Sequence, residues 1–277
     1  MAQRPLVLVT RPEPQASRWT SQLQQLLPEV DIRALPLIVT APVHAPAYQQ
    51  RLQLAWDSLP ELVAAYFVSV PAVTGFFAAV PDALARWQAA GVRAWAPGRG
   101  TRDALLQTGI PAAGIDSPPA DAAQFDSETL WPLVQPQVAQ ALQQGRRMLR
   151  VRGTDQLLPG EQVDQGAGRD WMGQQLQAAG VTVDTVVAYQ RQPPAWDDAF
   201  VSSLRQQLAA RRCLWLWSSS QALEHAVALL PGHDWSADGA VATHPRIAEN
   251  ARRCGFVQLQ QARPVLADVA QSIQSLL

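Results

Sequence analysis

Short apolar runs recur along this chain, each closed by a small or polar turn and followed by a stretch of helical periodicity. Leu6 to Val9 is apolar at every position, as in a strand buried on both faces of a parallel sheet, and it ends at Thr10, Arg11 and Pro12. The helix predicted next places Trp19, Leu23, Leu26 and Leu27 on one face. A second strand is predicted over 30–39, interrupted by Pro36, and it leads into the proline- and alanine-rich stretch 41–47. Strand–turn–helix units follow at 64–77, turning at Ser69, and at 92–101, turning at Gly98 with a helix that closes at Gly109. Ser127 is a candidate cap for a helix bearing Leu130, Leu133 and Val134, with Pro132 confining its start to that turn. A third unit begins at Met148 and turns at Gly153. The β-branched run from Val181 then reads as a strand that passes through Tyr189, Gln190 and Arg191 until Pro193 and Pro194 stop it.

Beyond those prolines the units return. Cys213 to Ser220 and its helix repeat the Ser69 unit, and Ala240 to Ile247 with a helix ending at Gly255 repeat the Gly98 unit. Leu6 to Arg11, with its helix and second strand, corresponds to Leu149 to Arg152 with its helix and the strand through Tyr189. The pattern predicts an α/β fold of two lobes. One is discontinuous, built from 1–37 and 191–277, and the other, 44–185, is inserted whole. Residues 36–43 and 185–191 are the expected linker strands. Parallel sheets bind ligands at the carboxyl ends of their strands, so the turns from Arg11 to Arg246 are expected to serve a shared cleft.

Composition narrows the functional classes. At 277 residues the chain suits two α/β domains, and a net charge of −1 lacks the basic excess of nucleic-acid binders. The opening apolar run is too short for a secretion signal and no stretch approaches a membrane span, so a cytoplasmic protein without nucleic-acid or membrane partners is expected. Cys213 and Cys254 lack redox or metal spacing, and His44, His225, His233 and His244 are isolated, which argues against a metal site. Gly98-Arg99-Gly100 lacks the third glycine of a dinucleotide fingerprint, there is no P-loop, and no cofactor is expected. The serines at 69 and 218–220 have no histidine and acid at a nucleophile-elbow spacing.

Eight segments in order give a sharper expectation: LVLVTRP at 6–12, YFVSVPAV at 66–73, GRGTRDALLQTGI at 98–110, FDSETL at 125–130, LRVRG at 149–153 with Arg169, VVAYQRQPP at 186–194, LWSSSQAL at 216–223 and HPRIAENARRCGF at 244–256. Over essentially its whole length the chain resembles the uroporphyrinogen-III synthases. The resemblance implies two flavodoxin-like parallel-sheet lobes joined by a two-stranded antiparallel linker. It also implies a cofactor-free cyclisation in tetrapyrrole synthesis. Linear hydroxymethylbilane, a small-molecule substrate with eight carboxylates, loses its hydroxyl; the azafulvene is attacked at the substituted carbon of ring D, and a spiro intermediate rearranges so that ring D is inverted. The substrate also closes unaided to the wrong isomer, so the work is largely proximity and orientation. A transient handover from hydroxymethylbilane synthase fits this place in synthesis.

The resemblance makes Tyr189 the expected catalytic residue, a phenol that donates to the leaving hydroxyl without adding charge; its alternative is an aromatic wedge packing the strand. Expected substrate-binding residues are Arg11, Ser69, Gly98, Thr101, Arg152, Gly153, Arg169, Arg191, Ser218, Ser219, Ser220, Pro245 and Arg246, which supply arginines, hydroxyls and helix-start amides for carboxylates. Thr101 binds a carboxylate or caps its helix, and the arginines bind in the cleft or play solvated and lobe-bridging roles. His244-Pro245-Arg246-Ile247 departs from the family's Gly-Pro-Thr type of turn, leaving Arg246 as the anion donor there. That turn and the polar insertion at 154–168 keep a rival open, a non-catalytic two-lobed module binding a tetrapyrrole or another polyanion. A two-lobed sugar-binding protein is disfavoured by the missing secretion signal.

Overall fold

The computed structural model describes residues 4–119, 121–122, 124–158 and 171–277. The chain divides into two compact units, Met1–Val39 with Gln192–Leu277, and Thr40–Arg191. The first opens with β1 (Leu6–Val9), α1 (Gln15–Leu26) and β2 (Asp31–Ala34). The second follows with β3 (Val39–Pro42), α2 (Pro46–Asp57), β4 (Leu62–Phe67), α3 (Val70–Phe77), α4 (Ala83–Ala90), β5 (Arg93–Trp95), α5 (Arg99–Gln107), β6 (Ile115–Asp116), α6 (Ser127–Gln144), β7 (Arg147–Thr154), α7 (Trp171–Ala178) and β8 (Val183–Gln192). The chain then returns to the first unit with α8 (Asp198–Ala210), β9 (Cys213–Trp217), α9 (Ser220–Leu229), β10 (Gly239–Ala242), α10 (Pro245–Cys254), β11 (Gln258–Gln261) and α11 (Leu266–Leu276).

The first unit is organised on a five-stranded sheet of order β11-β10-β9-β1-β2, with every neighbouring pair parallel. β1, β9 and β10 are buried at every position, which explains their unbroken apolar sequences. The second unit holds a six-stranded sheet of order β3-β8-β7-β4-β5-β6, parallel from β8 through β6.

The strand expected over 30–39 is two strands in two sheets, because Pro36 lacks the N–H needed to continue the ladder and the chain leaves the first sheet there. The expected linker strands at 36–43 and 185–191 fall on β3 and β8. β3 and β8 are neighbours in the six-stranded sheet, where β8 pairs with β7 from Val183 to Gln190.

Helix ends follow local chemistry. α5 closes with Gly109 at φ +94°, and α10 with Gly255 at φ +111°, left-handed geometry that glycine adopts without steric cost. α6 starts at Ser127, but its cap is Asp126, whose carboxylate accepts from the Thr129 N–H at 2.8 Å. The helix then runs through Pro132 and Pro136, held by Leu130, Val134, Val138 and Ala141, which recur every three or four residues on its buried face.

The first unit concentrates its aromatic residues around one buried acid. Trp215 and Trp217 stack at 5.2 Å, and Trp235 packs on both Trp215 and Phe256. Asp238, 3% exposed, accepts from Trp215 Nε1 at 2.8 Å and bonds His233 Nε2 at 2.7 Å. Burial pushes the Asp238 carboxyl up, against the pull of its His233 and Trp215 bonds. Asp238→Ala strands both donors and is expected to cost roughly 3 kcal/mol of stability. The check is a lower urea midpoint at unchanged slope, read by tryptophan fluorescence.

Candidate active site

The carboxyl end of the six-stranded sheet opens into a cavity of about 410 Å³. Strand alternation decides what enters it from each side. On β7, Leu149, Val151 and Gly153 turn toward the core shared with α3, while Met148, Arg150 and Arg152 turn toward α6 and α7. Arg150, Arg152, Gly153, Tyr189 and Arg191 all line the cavity.

A bulge sets the position of Tyr189. Arg152 is opposite Val187 but Gly153 is opposite Tyr189, so Ala188 is the extra residue on β8 and the phenol is brought onto the α3 side. There its ring lies flat against Gly153; a Cβ at Gly153 would stand 2.3 Å from Tyr189 Cζ. Gly75 in α3 is required for a similar reason, since a Cβ there would meet the Ala188 carbonyl oxygen at 2.4 Å. Ser69 caps α3, and its hydroxyl donates to the Tyr189 oxygen at 3.1 Å. A phenol that accepts this bond keeps its own proton for another acceptor.

The cavity is rich in cationic groups. Burial pushes the Arg152 guanidinium down from its ordinary value, and the Arg191 charge pushes the same way. Arg152 donates to the Gly153 carbonyl at 3.0 Å, and Arg191 is paired with Asp155. Tyr66, on the opposite face from Tyr189, exchanges a 2.7 Å hydrogen bond with Ser127, and burial pushes its phenol up.

The carboxyl edge of the five-stranded sheet carries a second set of polar groups. Arg11 lies 4.0 Å above the Trp19 ring and donates to Gln15 at 3.1 Å; burial pushes its guanidinium down. Ser219 caps α9 by accepting from the Ala222 N–H, and the half-buried Ser218 and Ser220 flank it. His244, Pro245 and Arg246 are exposed at the start of α10, where His244 Nδ1 accepts the Arg246 N–H at 3.1 Å. Burial pushes the Cys213 thiol up to about 12, so it is protonated at neutral pH and no nucleophile.

The family model described as uroporphyrinogen-III synthase HemD matches residues 30–270. This chain belongs to the uroporphyrinogen-III synthase family. Its activity is that of a cyclising lyase of porphyrin biosynthesis, acting on a tetrapyrrole substrate. Among solved structures it is similar to the uroporphyrinogen-III synthetase of Helicobacter pylori 26695, with 13% identity, 99% of this chain and 100% of that chain covered, and a TM-score of 0.57. A mutant uroporphyrinogen III synthase from the extreme thermophile Thermus thermophilus aligns at 15% identity over 98% of both chains, with a TM-score of 0.45. The first likeness is one of fold, an α/β architecture dominated by parallel sheets. No curated protein sequence matches. Among the described residues, no helix is long and apolar enough to cross a membrane.

Within this synthase, Ser69, Arg152, Gly153, Tyr189 and Arg191 are gathered at one cavity or bonded to its wall. Gly98 caps α5 beside Pro97, which lines the same cavity. Thr101 does not cap α5, because Gly98 holds that position and Thr101 is the third helical residue, 6% exposed. Arg11, Ser218, Ser219, Ser220, Pro245 and Arg246 belong to the other unit. Arg169 lies outside the described residues. The sequence reading missed Tyr66 and Arg150. Arg150 shares with Arg152 an every-second-position spacing on β7 that does not by itself mark a site, and Tyr66 lies in the apolar run of β4 with no such signal.

Proposed function

We propose that the cavity of the Thr40–Arg191 unit is where hydroxymethylbilane is dehydrated and closed, with Tyr189 as the proton donor to the leaving hydroxyl. The observation that carries this reading is the Ser69–Tyr189–Gly153 arrangement. The ring is fixed against a glycine, and the phenol oxygen accepts from Ser69 at 3.1 Å while its own proton stays free to donate. The bond that breaks is between the terminal methylene carbon and its hydroxyl. The pyrrole nitrogen supplies the electron pair, the departing oxygen takes a proton from Tyr189 and leaves as water, and the pyrrole N–H proton, released as the azafulvene forms, restores the phenol. A neutral donor suits a site that gathers Arg150, Arg152 and Arg191, because before it reacts it adds no anion to compete for them. Arg152 and Arg191 face the carboxylates, with the start of α5 at Gly98 beside the cavity and the buried Thr101 in its first turn, and attraction to the arginines orders the floppy chain. On the other unit, Arg11, Ser218, Ser219, Ser220, Pro245 and Arg246 offer side-chain and amide donors of the same kind.

The strand orders β2-β1-β9-β10-β11 and β8-β7-β4-β5-β6 match term by term, and both follow the 2-1-3-4-5 sequence of a flavodoxin-like sheet once β7 is taken as the first strand. This supports a plan of two flavodoxin-like lobes, joined through β3 and β8, which are neighbours in the six-stranded sheet. We infer a cytoplasmic monomer that receives its labile substrate from hydroxymethylbilane synthase by transient encounter. The Tyr189 assignment is tested with Ser69→Ala, which removes the bond that orients the phenol. kcat is expected to fall about tenfold with KM nearly unchanged. Unchanged kcat removes Ser69 from the mechanism.

A further inference from the structure

The role given to Tyr189 leaves the opposite side of the cavity unexplained. Tyr66 of β4 and Arg150 of β7 are direct register partners, and strand alternation turns both toward α6 and α7. They are 5% and 9% exposed, set in a face that is otherwise Val63, Leu130, Met148 and Met172. Placing a guanidinium and a phenol there costs desolvation free energy that an apolar pair would not. Both nonetheless line the cavity, as do Trp171, Met172 and Val68.

We propose that Tyr66 and Arg150 form a carboxylate seat for one acid arm of the tetrapyrrole, with the pyrrole ring that bears it packed against Trp171 and Met172. The seat rests on reading this cavity as the cyclisation site, and it adds two substrate-binding residues to it. The guanidinium presents five N–H donors in a planar fork, more than any one partner uses, and matches a carboxylate in bidentate fashion. The Tyr66 hydroxyl, aimed by Ser127 at 2.7 Å, supplies a further hydrogen bond from the neighbouring strand. Burial pushes that phenol up, so it stays protonated and neutral at physiological pH. Of the acids on the cavity rim, Asp126 is committed to the Thr129 N–H at 2.8 Å and Glu128 is exposed. A volume of about 410 Å³ accepts one substituted pyrrole and not a linear chain of four, so the seat anchors one ring while the rest of the chain folds.

The test is steady-state kinetics on freshly generated hydroxymethylbilane, with equilibrium binding of uroporphyrinogen I, for the wild type, Tyr66→Phe, Arg150→Met and Tyr189→Phe. Arg150→Met is expected to raise KM and weaken binding by about tenfold or more while kcat stays within about threefold, and Tyr66→Phe to raise KM about fivefold. Unchanged KM and binding in both, or a fall in kcat alone, overturns the seat. Should Arg150→Met fail to fold, Tyr66→Phe, which removes a single oxygen, decides by the same criterion. Tyr189→Phe separates the two levels. If it is slowed while Tyr66→Phe and Arg150→Met keep the wild-type KM and binding, only the seat falls; if it turns over like the wild type while those two variants raise KM, the seat stands and only the proton-donor role of Tyr189 falls.

Discussion

Tyr189→Phe is expected to lower kcat for isomer III formation by about a hundredfold, the usual range for loss of a positioned proton donor. KM is expected to stay close to the wild-type value, because the arginines that hold carboxylates remain. The ring is 6% exposed and packed against Gly153, and phenylalanine keeps that packing. The melting temperature therefore shifts by only a few degrees, as for loss of one hydrogen bond. The hydroxyl partner of Ser69 disappears, so Ser69→Ala and Tyr189→Phe are expected to be strongly non-additive in kcat, as residues acting through one another are. Rapid-quench measurement of the first turnover, followed by separation of the isomers, reads the chemical step directly. A Tyr189→Phe enzyme with wild-type kcat would return this residue to a purely packing role.

Gly153→Ala is expected to be nearly as damaging by a different route. A Cβ there would lie 2.3, 2.5 and 2.7 Å from Cζ, Cε2 and Cε1 of Tyr189, distances at which the ring must move. Gly153 also lies on a buried strand beside the β8 bulge, which leaves the backbone little room to yield. Overpacking of this kind costs roughly 1–3 kcal/mol, and displacing the phenol by about an ångström is expected to lower kcat by about a hundredfold. The double variant Gly153→Ala/Tyr189→Ala distinguishes this account from general damage. With the ring removed, the added methyl has space, so the stability penalty of Gly153→Ala is expected to shrink markedly in the Tyr189→Ala background. Additive penalties would place the strain elsewhere.

Much of the plan is legible in the sequence because it depends on local chemistry. Buried parallel strands announce themselves as apolar runs such as Leu6–Val9 and Cys213–Trp217, and glycines at 109 and 255 mark where helices stop. Residues at strand ends, including Ser69, Arg152, Gly153 and Tyr189, stand out because a polar or small residue interrupts each run. What escapes is whatever depends on register between distant segments. The bulge at Ala188 sits inside an uninterrupted strand sequence and exists only in relation to β7. Tyr66 and Arg150 become neighbours only once β4 and β7 pair, so neither looks exceptional alone. Competition between good local solutions hides other features. Asp126 and Ser127 are both capable caps, and a one-residue choice decides between them. Pro132 and Pro136 read as helix breakers, yet the buried face of α6 outweighs the backbone bonds they remove.

The most direct test of the account is the isomer ratio of the product. Freshly generated hydroxymethylbilane is supplied to the wild-type protein, the porphyrinogens are oxidised, and isomers I and III are separated by chromatography. Because the substrate closes unaided to isomer I, the account predicts a predominance of isomer III that rises with enzyme concentration, and a return toward isomer I with Tyr189→Phe. Isomer I alone, accompanied by tight binding of the substrate or product, would contradict the catalytic account and leave a tetrapyrrole-binding module in its place.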